Sequence, residues 1–356
     1  MRILKKFYHI CKDVLKKTLL WYRLVWKSKS DFKISLNERI KFAFRGFTTN
    51  EYIWYDLAHH DYRDYISDYE RIRSREMNGK YKIVLDDKLL FEEVFGKYIK
   101  VPTTYAWISD GNIFGMHEYF LNESNILSFL CSVKVAVLKW EKGYEGKGTF
   151  VIETKNNGDF CVNGVSKTSE ELQRLFRCQG QAILCEYMYQ SEFENSIYPY
   201  STNTLRIVCA KKKGEKKAHI IKAVQRIGND ACKPVDNMSA GGFASEIDLA
   251  TGKLGPAIAK LGVMERRMIP YEIHPDTGGQ IAGRIIPQWD ELKKSLTDLT
   301  NQFPYLNLVA WDVLLTEDGF CIIEGNASSG CGIFQMKHGV RNAELGDIYR
   351  SYGIIE

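Results

Sequence analysis

The chain has 356 residues, of which 45% are hydrophobic and 26% are charged, a composition typical of a globular protein with two or three domains. Its nine cysteines are scattered without a CxxC pair, which argues against a disulfide framework and favours reduced thiols in a cytoplasm. The seven histidines form no HExxH or zinc-finger spacing, so the sequence predicts no zinc site. No apolar run is long enough to span a bilayer.

The first 29 residues are strongly basic. They contain nine lysines and arginines and one acid, Asp13, so the segment has a net charge of +8. The whole chain has a net charge of +5, so the remaining residues together carry −3. Apolar residues recur at helical spacing from Leu4 to Val25, which predicts one amphipathic helix over residues 1–29. Charged residues interrupt any signal-peptide core. We expect the helix to lie on an anionic membrane surface, with packing on the body or on a partner protein as the alternatives.

The segment from residue 31 to residue 80 is polar and aromatic and predicts a helical cap, with a helix from Arg63 to Met77. It shows no chemistry of its own. Because the basic charge is confined to the N-terminus, we also predict that the body does not bind nucleic acid.

A glycine-rich loop follows the next strong strand signal. Val133 to Leu138 is an apolar strand that ends at Lys139, and the loop Glu141–Thr149 leads into a second strand from Phe150. Glycine lacks a Cβ, so backbone amides of such a loop can approach a polyphosphate. The Walker pattern GxxxxGK[ST] is absent. An ordinary glycine-rich hairpin remains the alternative.

Two further strands predict a basic hairpin. The strands 204–210 and 218–225 flank a lysine-rich tip, and a tip centred on Gly214 places Arg206 opposite Lys222. Adjacent cations on paired strands repel each other unless an anion neutralises them. The pair is therefore a candidate for contact with a phosphate or a substrate carboxylate.

The last hairpin is acidic. Val309–Leu315 and Phe320–Ile323 are strands, and the three-residue loop 317–319 between them places Asp312 opposite Glu324. Glu324 and Asn326 share a face because side chains alternate along a strand. Two carboxylates and an amide oxygen are hard ligands that suit Mg²⁺. The alternative is a surface hairpin with ordinary acidic residues.

Strands and helices mixed in antiparallel hairpins indicate an α+β fold. The ordered set of motifs resembles the ATP-grasp superfamily, in particular the sugar-transfer-associated ATP-grasp proteins of polysaccharide and teichuronopeptide gene clusters, over about residues 85–340. The matching residues are Leu138-Lys139, Gly143-Tyr144-Glu145-Gly146-Lys147-Gly148, Asn203-Thr204-Leu205-Arg206-Ile207, Val235-Asp236-Asn237, Gly241-Gly242, His274-Pro275-Asp276-Thr277-Gly278, Trp311-Asp312 and Ile323-Glu324-Gly325-Asn326.

The resemblance implies two α+β lobes that grip ATP. The expected organisation is a basic amphipathic helix over residues 1–30, a helical cap over 31–85, a small lobe with the glycine-rich loop and hinge over 86–190, and a large lobe with the acidic hairpin over 191–356. Members of the superfamily commonly begin with a Rossmann-like domain. The basic, aromatic and helical front of this chain departs from that pattern and leaves the acceptor substrate open.

The resemblance also implies the nucleotide contacts. Lys139 would contact the phosphates, and the loop with Gly146 and Gly148 would close over them. Glu186 and Met188 would belong to the hinge that meets adenine. The ribose-binding acid would be Glu192, and the upstream phosphate lysine would be Lys88, or alternatively Lys100.

The implied reaction is ligation of a carboxylate to an amine through an acyl phosphate. Mg²⁺ between the β- and γ-phosphates would be held by Asp312, Glu324 and Asn326. Arg206, assisted by Lys222, would hold the acyl phosphate. A membrane-surface helix would suit work on lipid-linked glycans or beside a glycosyltransferase. The alternatives are a kinase on the same scaffold and a non-catalytic nucleotide-binding module tethered to a membrane complex.

Overall fold

The computed structural model describes residues 2–142, 148–155, 158–259, 270–335 and 337–356, and of residues 2–6, 9 and 10 it describes the backbone alone. The helices are α1 Arg2–Trp21, α2 Leu36–Ala43, α3 Thr49–Trp54, α4 Asp68–Arg73, α5 Ile83–Asp86, α6 Lys88–Phe95, α7 Ile126–Val133, α8 Ser169–Arg177, α9 Glu192–Asn195, α10 Trp289–Gln302 and α11 Glu344–Ser351. Shorter turns of π-helix, Tyr22–Trp26, and of 3₁₀-helix, Tyr62–Asp64, Ser74–Lys82, Met238–Ala240 and Cys331–Ile333, connect some of them.

The strands form two seven-stranded sheets in which each pair of neighbours is antiparallel. The strands are β1 Thr104–Ser109, β2 Asn112–Gly115, β3 Val135–Trp140, β4 Thr149–Thr154, β5 Phe160–Val162, β6 Val165–Lys167, β7 Gln181–Glu186, β8 Thr204–Ala210, β9 His219–Ile227, β10 Phe243–Ile247, β11 Leu254–Ala259, β12 Pro270–Tyr271, β13 Leu308–Thr316 and β14 Gly319–Asn326. The first sheet has the order β2-β1-β7-β3-β4-β5-β6, and the second has the order β12-β11-β10-β9-β8-β13-β14. The α+β prediction is confirmed.

Each sheet has its own apolar core. In the first sheet, Leu130 of α7 and Phe176 of α8 belong to one buried cluster with Leu138 of β3. In the second sheet, the ring of Trp311 on β13 meets the ring of Phe95 on α6 edge-on, with centroids 5.2 Å apart. This burial excludes water from apolar surface and fixes β13 against the helices, so the residue next to Trp311 is held in a defined place.

The N-terminal helix is shorter than predicted and is attached at one end. It ends at Trp21, and a single π-helical turn follows it to Trp26. The Trp21 indole N–H donates to the Ala43 carbonyl at 2.6 Å, and its ring stacks on Phe44. Nearer the N-terminus, the apolar side chains of the helix are exposed (Phe7, Tyr8, Val14, Leu15 and Leu19). In the part of the chain that the structure describes, no helix combines the length and hydropathy needed to cross a bilayer.

The cap contains short helices that begin after polar N-cap residues. Ser35, Thr48 and Ser67 each accept a backbone hydrogen bond at the start of α2, α3 and α4 in a capping box. The single helix predicted from Arg63 to Met77 is wrong, because Ser67 is an extended N-cap residue and α4 begins after it. The chain then continues in 3₁₀ turns between residues 74 and 82, interrupted by a kink at Gly79, whose φ is +54°.

The cap is bonded to the second sheet and to the chain after it. Gln335 is fully buried, its amide oxygen accepts from the Ile66 N–H at 3.0 Å, and its amide nitrogen donates to the Ile66 carbonyl at 2.7 Å. Asn78 bonds both backbone groups of Leu308, with its amide nitrogen 2.7 Å from the carbonyl oxygen and its amide oxygen 3.1 Å from the N–H. Buried backbone groups need such partners, so these bonds tie the cap to the second sheet.

The acidic hairpin differs from the prediction in its turn but not in its functional pair. Thr316 pairs with Gly319, so the loop has two residues, whereas the predicted three-residue loop placed Thr316 opposite Phe320. A β-bulge further along shifts the register by one residue and leaves Asp312 directly opposite Glu324, as predicted. The shorter loop and the bulge shift the register in opposite directions, so together they leave the pairing of Asp312 with Glu324 unchanged.

The basic hairpin differs in a way that matters. Arg206 pairs with Val224, and Lys222 pairs with Val208, so the predicted pairing of Arg206 with Lys222 is wrong. The connection from β8 to β9 is not symmetric about its glycine, and a register shift interrupts the ladder near its tip. Lys222 instead forms an ion pair with Glu246, with Nζ and Oε1 3.0 Å apart.

Candidate active site

A cleft of about 1500 Å³ lies between the two sheets. Strands β3, β4 and β7 of the first sheet line one wall, and strands β8, β9, β13 and β14 of the second sheet line the other. The structure brings eight of the predicted site residues together around it: Lys88, Lys139, Glu186, Met188, Arg206, Asp312, Glu324 and Asn326. The cap and the end of the N-terminal segment, between residues 23 and 29, close part of the same cleft.

Two carboxyl groups face each other on the wall formed by the second sheet. Burial by itself would raise the pKa of Asp312, but the charges of Arg206 and Arg226 outweigh it and hold that pKa below its ordinary value. The pKa of Glu324 is raised by burial and then by the negative charge of Asp312, although Lys88 opposes the shift. The pair therefore consists of a firmly ionised carboxylate and a partner that resists ionisation.

Two arginines hold Asp312 in place. The Arg206 Nη2 atom lies 2.7 Å from Asp312 Oδ2, and its Nε atom donates to the other carboxylate oxygen. The Arg226 Nη1 atom lies 3.1 Å from the same Oδ2, while its Nη2 atom donates to Asp236 at 2.5 Å and to Asn237. Two guanidinium groups thus converge on one carboxylate at the base of the cleft, and each group is nearly buried.

Arg226 is the site residue that sequence reasoning missed. The predicted strand ended at Gln225, one residue before Arg226. The predicted register therefore made Lys222 the second cation of the pair. The observed β9 runs to Ile227, and Arg226 pairs with Thr204 at the cleft. The sequence did contain a signal for it, since the motif Val235-Asp236-Asn237 supplies both of the acceptors that hold the guanidinium beyond Asp312.

The two lysines reach the cleft from different parts of the fold. Lys88 begins α6, and its Nζ atom lies 3.4 Å from the Glu141 carbonyl oxygen. Burial lowers the pKa of Lys88, and the charge of Glu324 opposes that shift. Lys139 lines the cleft from β3 of the first sheet, whereas α6 packs against β14 and the core of the second sheet. Lys100, the alternative to Lys88, is on the exposed surface.

The two residues predicted to belong to the hinge lie at the end of β7 and after it. The Glu186 carboxylate accepts from the Thr103 N–H at 3.3 Å, and both Glu186 and Met188 line the cleft. Met188 packs with Leu314 and so connects the hinge to the second sheet. Glu192, by contrast, is exposed at the start of α9 and is not among the described residues that line the cleft.

Most of the glycine-rich loop, residues 143–147, including Gly146, lies outside the described residues. Gly148, which ends it, has a φ of +71°. A Cβ at this position would lie 2.2 Å from the Trp140 ring, so the close approach of ring and backbone requires glycine. Whether the loop covers phosphates stays a prediction.

The acidic hairpin suits a magnesium ion chemically. Its donors are oxygens, from Asp312, Glu324 and Asn326, and a divalent cation would offset the repulsion that raises the pKa of Glu324. Asn326 uses its amide nitrogen toward Glu324 at 3.4 Å, and its amide oxygen has no partner among the residues described. No three His, Cys, Asp or Glu side chains cluster as a metal site within the described ranges, so the amide oxygen would be needed as a ligand.

Two antiparallel sheets that enclose a polar cleft are the architecture of an ATP-grasp protein. The profile of the sugar-transfer associated ATP-grasp family matches residues 69–346, which is more than half of the chain. The chain belongs to this family, and the resemblance drawn from its motifs is confirmed. No curated protein sequence matches it.

The chain is also similar to solved structures at low identity. D-alanyl-alanine synthetase A from Vibrio cholerae is 12% identical with a TM-score of 0.40, and the match covers 71% of this chain and 58% of that one. N5-carboxyaminoimidazole synthetase from Staphylococcus aureus, complexed with ADP, is 8% identical with a TM-score of 0.38, covering 71% and 47%. The ATP-grasp ligase PsnB with its minimal precursor is 13% identical with a TM-score of 0.36, covering 72% and 56%. The chain spans about half the length of these proteins.

A buried acid beside the hinge has an unusual titration. Glu194 of α9 is fully buried, and its Oε2 atom accepts from the Gln225 side-chain amide at 3.0 Å. Its Oε1 atom has no partner among the described residues, and neither has the Gln225 amide oxygen. Burial raises the pKa of Glu194 to about 8. The folded protein therefore keeps this carboxyl protonated at neutral pH.

We expect Glu194 to make the protein less stable as the pH rises. The folded-state pKa lies above the unfolded value, so the stabilisation is complete below the ordinary pKa of a glutamate and is lost as the pH rises toward about 8. The loss is on the order of a few kcal/mol. Glu194→Gln should remove it, which urea unfolding at pH 5 and pH 8 would measure. Glu192→Gln, an exposed change two residues earlier, is the control, and parallel pH profiles for wild type and Glu194→Gln would contradict the prediction.

Proposed function

We propose that the chain is an ATP-dependent ligase that joins a carboxylate to an amine, in the synthesis of a surface glycan. The observation that carries the proposal is the cleft itself, which an ionised Asp312 between two arginines shares with Lys88 and with Lys139 of the other sheet. Membership in the sugar-transfer associated family supports the glycan context. The proposal includes the chemical class of both substrates, one a carboxylate and the other an amine.

The nucleotide would lie between the sheets. Lys88 and Lys139 would contact its phosphates, and the hinge residues Glu186 and Met188 would meet the base. Glu192 would reach the ribose once nucleotide is bound. We assign the lobes as residues 86–190 and 191–356 because each range contains one of the two sheets. The described residues of the cap and the N-terminal helix precede both ranges and contribute no strand to either sheet.

Magnesium held by Asp312, Glu324 and Asn326 would neutralise charge between the phosphates. The substrate carboxylate oxygen forms a bond to the γ-phosphorus as the bond to the β-phosphate oxygen breaks, giving an acyl phosphate and ADP. The amine nitrogen then bonds to the carbonyl carbon, phosphate leaves, and the nitrogen loses a proton. Arg206 would hold the acyl phosphate, and Arg226 would assist it in the role first assigned to Lys222.

The ligase proposal is tested by ATP turnover with Mg²⁺, pooled amino acids and uronic acids, with products followed by mass spectrometry. We expect ADP, phosphate and a product of amide mass, and a fall in rate of at least about a hundredfold in Glu324→Gln, the scale of removing a transition-state charge contact. Asp318→Asn, in the turn of the same hairpin, is the matched control and should stay active.

Other outcomes separate the alternatives. A stable phosphorylated product without an amide would favour a kinase. ATP binding without turnover in every substrate pool would leave the tethered nucleotide-binding module.

We also propose that the N-terminal helix places the enzyme on the cytoplasmic face of an anionic membrane. Its attachment at Trp21 leaves the apolar side chains of Phe7, Leu15 and Leu19 more than half exposed, beside a run of lysines. Apolar insertion and about 1 kcal/mol per basic residue both favour an anionic lipid surface. The +8 charge of the segment disfavours self-association through this face.

Membrane binding is tested by co-sedimentation with phosphatidylcholine vesicles that contain or lack phosphatidylglycerol. We expect binding only to the anionic vesicles, weakening with added salt, and loss of binding in Phe7→Ser/Leu15→Ser. Phe120→Ser is the control because it removes a ring from the body that is even more exposed than Phe7. Equal binding by the double variant, or binding to a glycosyltransferase in place of vesicles, would contradict the proposal.

A further inference from the structure

The cap side of the cleft contains a pair of incompletely bonded arginines. Arg71 and Arg75 both line the cleft, and their side chains are only 19% and 21% exposed. The Arg71 Nε atom donates to Asp68 at 2.5 Å, and its Nη1 atom lies 3.5 Å from the Ser328 hydroxyl oxygen. A guanidinium has five N–H donors. The other three on Arg71 have no protein partner within the described part of the chain.

Arg75 repeats this arrangement four residues later. One of its terminal nitrogens donates to Asp86, and the described residues provide no partner for its remaining donors. Arg71 lies in α4 and Arg75 in the 3₁₀ segment that follows it, and both side chains line the same cleft. Their ion pairs with Asp68 and Asp86 hold the groups in orientation, and the edges that stay unbonded suit the planar oxygens of a second anion.

Arg71 is connected to the segment that follows the acidic hairpin, the proposed reacting centre. Ser328, which Arg71 contacts, follows Asn326 of the acidic hairpin by only two residues. The cap is bonded to the second sheet, so Arg71 and the hairpin belong to one supporting structure. The cleft of about 1500 Å³ exceeds the roughly 300–1,000 Å³ of pockets for single small ligands, so it has room for a second substrate beside a nucleotide.

The remaining cap residues at the cleft suit a sugar. Trp54 offers an aromatic surface for the C–H face of a ring, and Ser328 offers a hydroxyl group for hydrogen bonding.

We propose that Arg71 and Arg75 form the subsite for the acidic group of the acceptor, and that the acceptor is a sugar acid of the uronic type. The inference rests on the proposed ligase function, because it names the carboxylate substrate of the same cleft. The cap thereby does in this chain the work of recognising the acceptor, and the nucleotide binds through other residues, across the cleft.

The test is calorimetric titration of the full chain with D-glucuronate and with D-glucose as the uncharged match. We expect D-glucuronate to bind the wild type, and its dissociation constant to rise at least about tenfold in Arg71→Gln and in Arg75→Gln, since each loses a charge-assisted contact. Arg73→Gln is the matched control, because Arg73 lies between the two on the same segment and bonds the carbonyls of residues 353 and 354 outside the cleft. ATP binding, titrated separately, should be unchanged in all three variants.

The outcomes are distinct. Equal D-glucuronate affinity in Arg71→Gln, Arg75→Gln and wild type would overturn the subsite, as would an affinity no better than that for D-glucose. Binding of inorganic phosphate that depends on Arg71, without binding of D-glucuronate, would overturn the sugar-acid assignment. If Arg71→Gln fails to fold, the D-glucuronate affinities of Arg71→Lys and Arg75→Gln test the subsite instead. Arg71→Lys keeps the positive charge but loses the planar guanidinium group. Arginine-dependent D-glucuronate binding without any ligation would preserve the subsite and refute the proposed function.

Discussion

Asp312 and Glu324 face each other across a hairpin at the base of the cleft, and much of the molecule serves to keep two buried carboxyl groups there. Burying a charge is costly unless it is paired, and Asp312 is paired twice, by Arg206 and Arg226. Removing one partner of such a cluster leaves an uncompensated charge, so the cluster is stable only when it is complete. The apolar packing of Trp311 behind β13 holds the strand in the position that this pairing requires.

We propose that the parts around this cluster divide the work of substrate recognition. Lys88, Lys139 and the residues after β7 suit a nucleotide, while the cap carries guanidinium groups, an aromatic ring and polar side chains. The bonds from Gln335 and Asn78 make the cap an extension of the second sheet. We propose that the cap, in the N-terminal part of the chain, thereby presents a second binding surface to the same cleft.

The sequence predicted the acidic site because strand alternation and apolar patterning determine which residues share a face. It succeeded at Asp312 and Glu324 although the turn was wrong, since a bulge compensated for the shorter loop. At the basic hairpin no such compensation occurred, and the predicted partner of Arg206 was Lys222, which lies elsewhere. Bulges and loop shapes depend on tertiary packing, which periodicity does not encode. The arginines of the cap were invisible for the same reason, because only the folded chain brings residues 71 and 75 to the cleft.

We propose that the acidic hairpin binds the metal–nucleotide complex in the cleft. Calorimetric titration of ATP into wild type and Glu324→Gln, each with Mg²⁺ and with EDTA, tests this proposal. We expect Mg²⁺ to tighten ATP binding to the wild type, and we expect Glu324→Gln to lose this gain while keeping the affinity measured in EDTA. The same Mg²⁺-dependent gain in both proteins would contradict it and would mean that the two carboxyl groups serve only to hold the arginines.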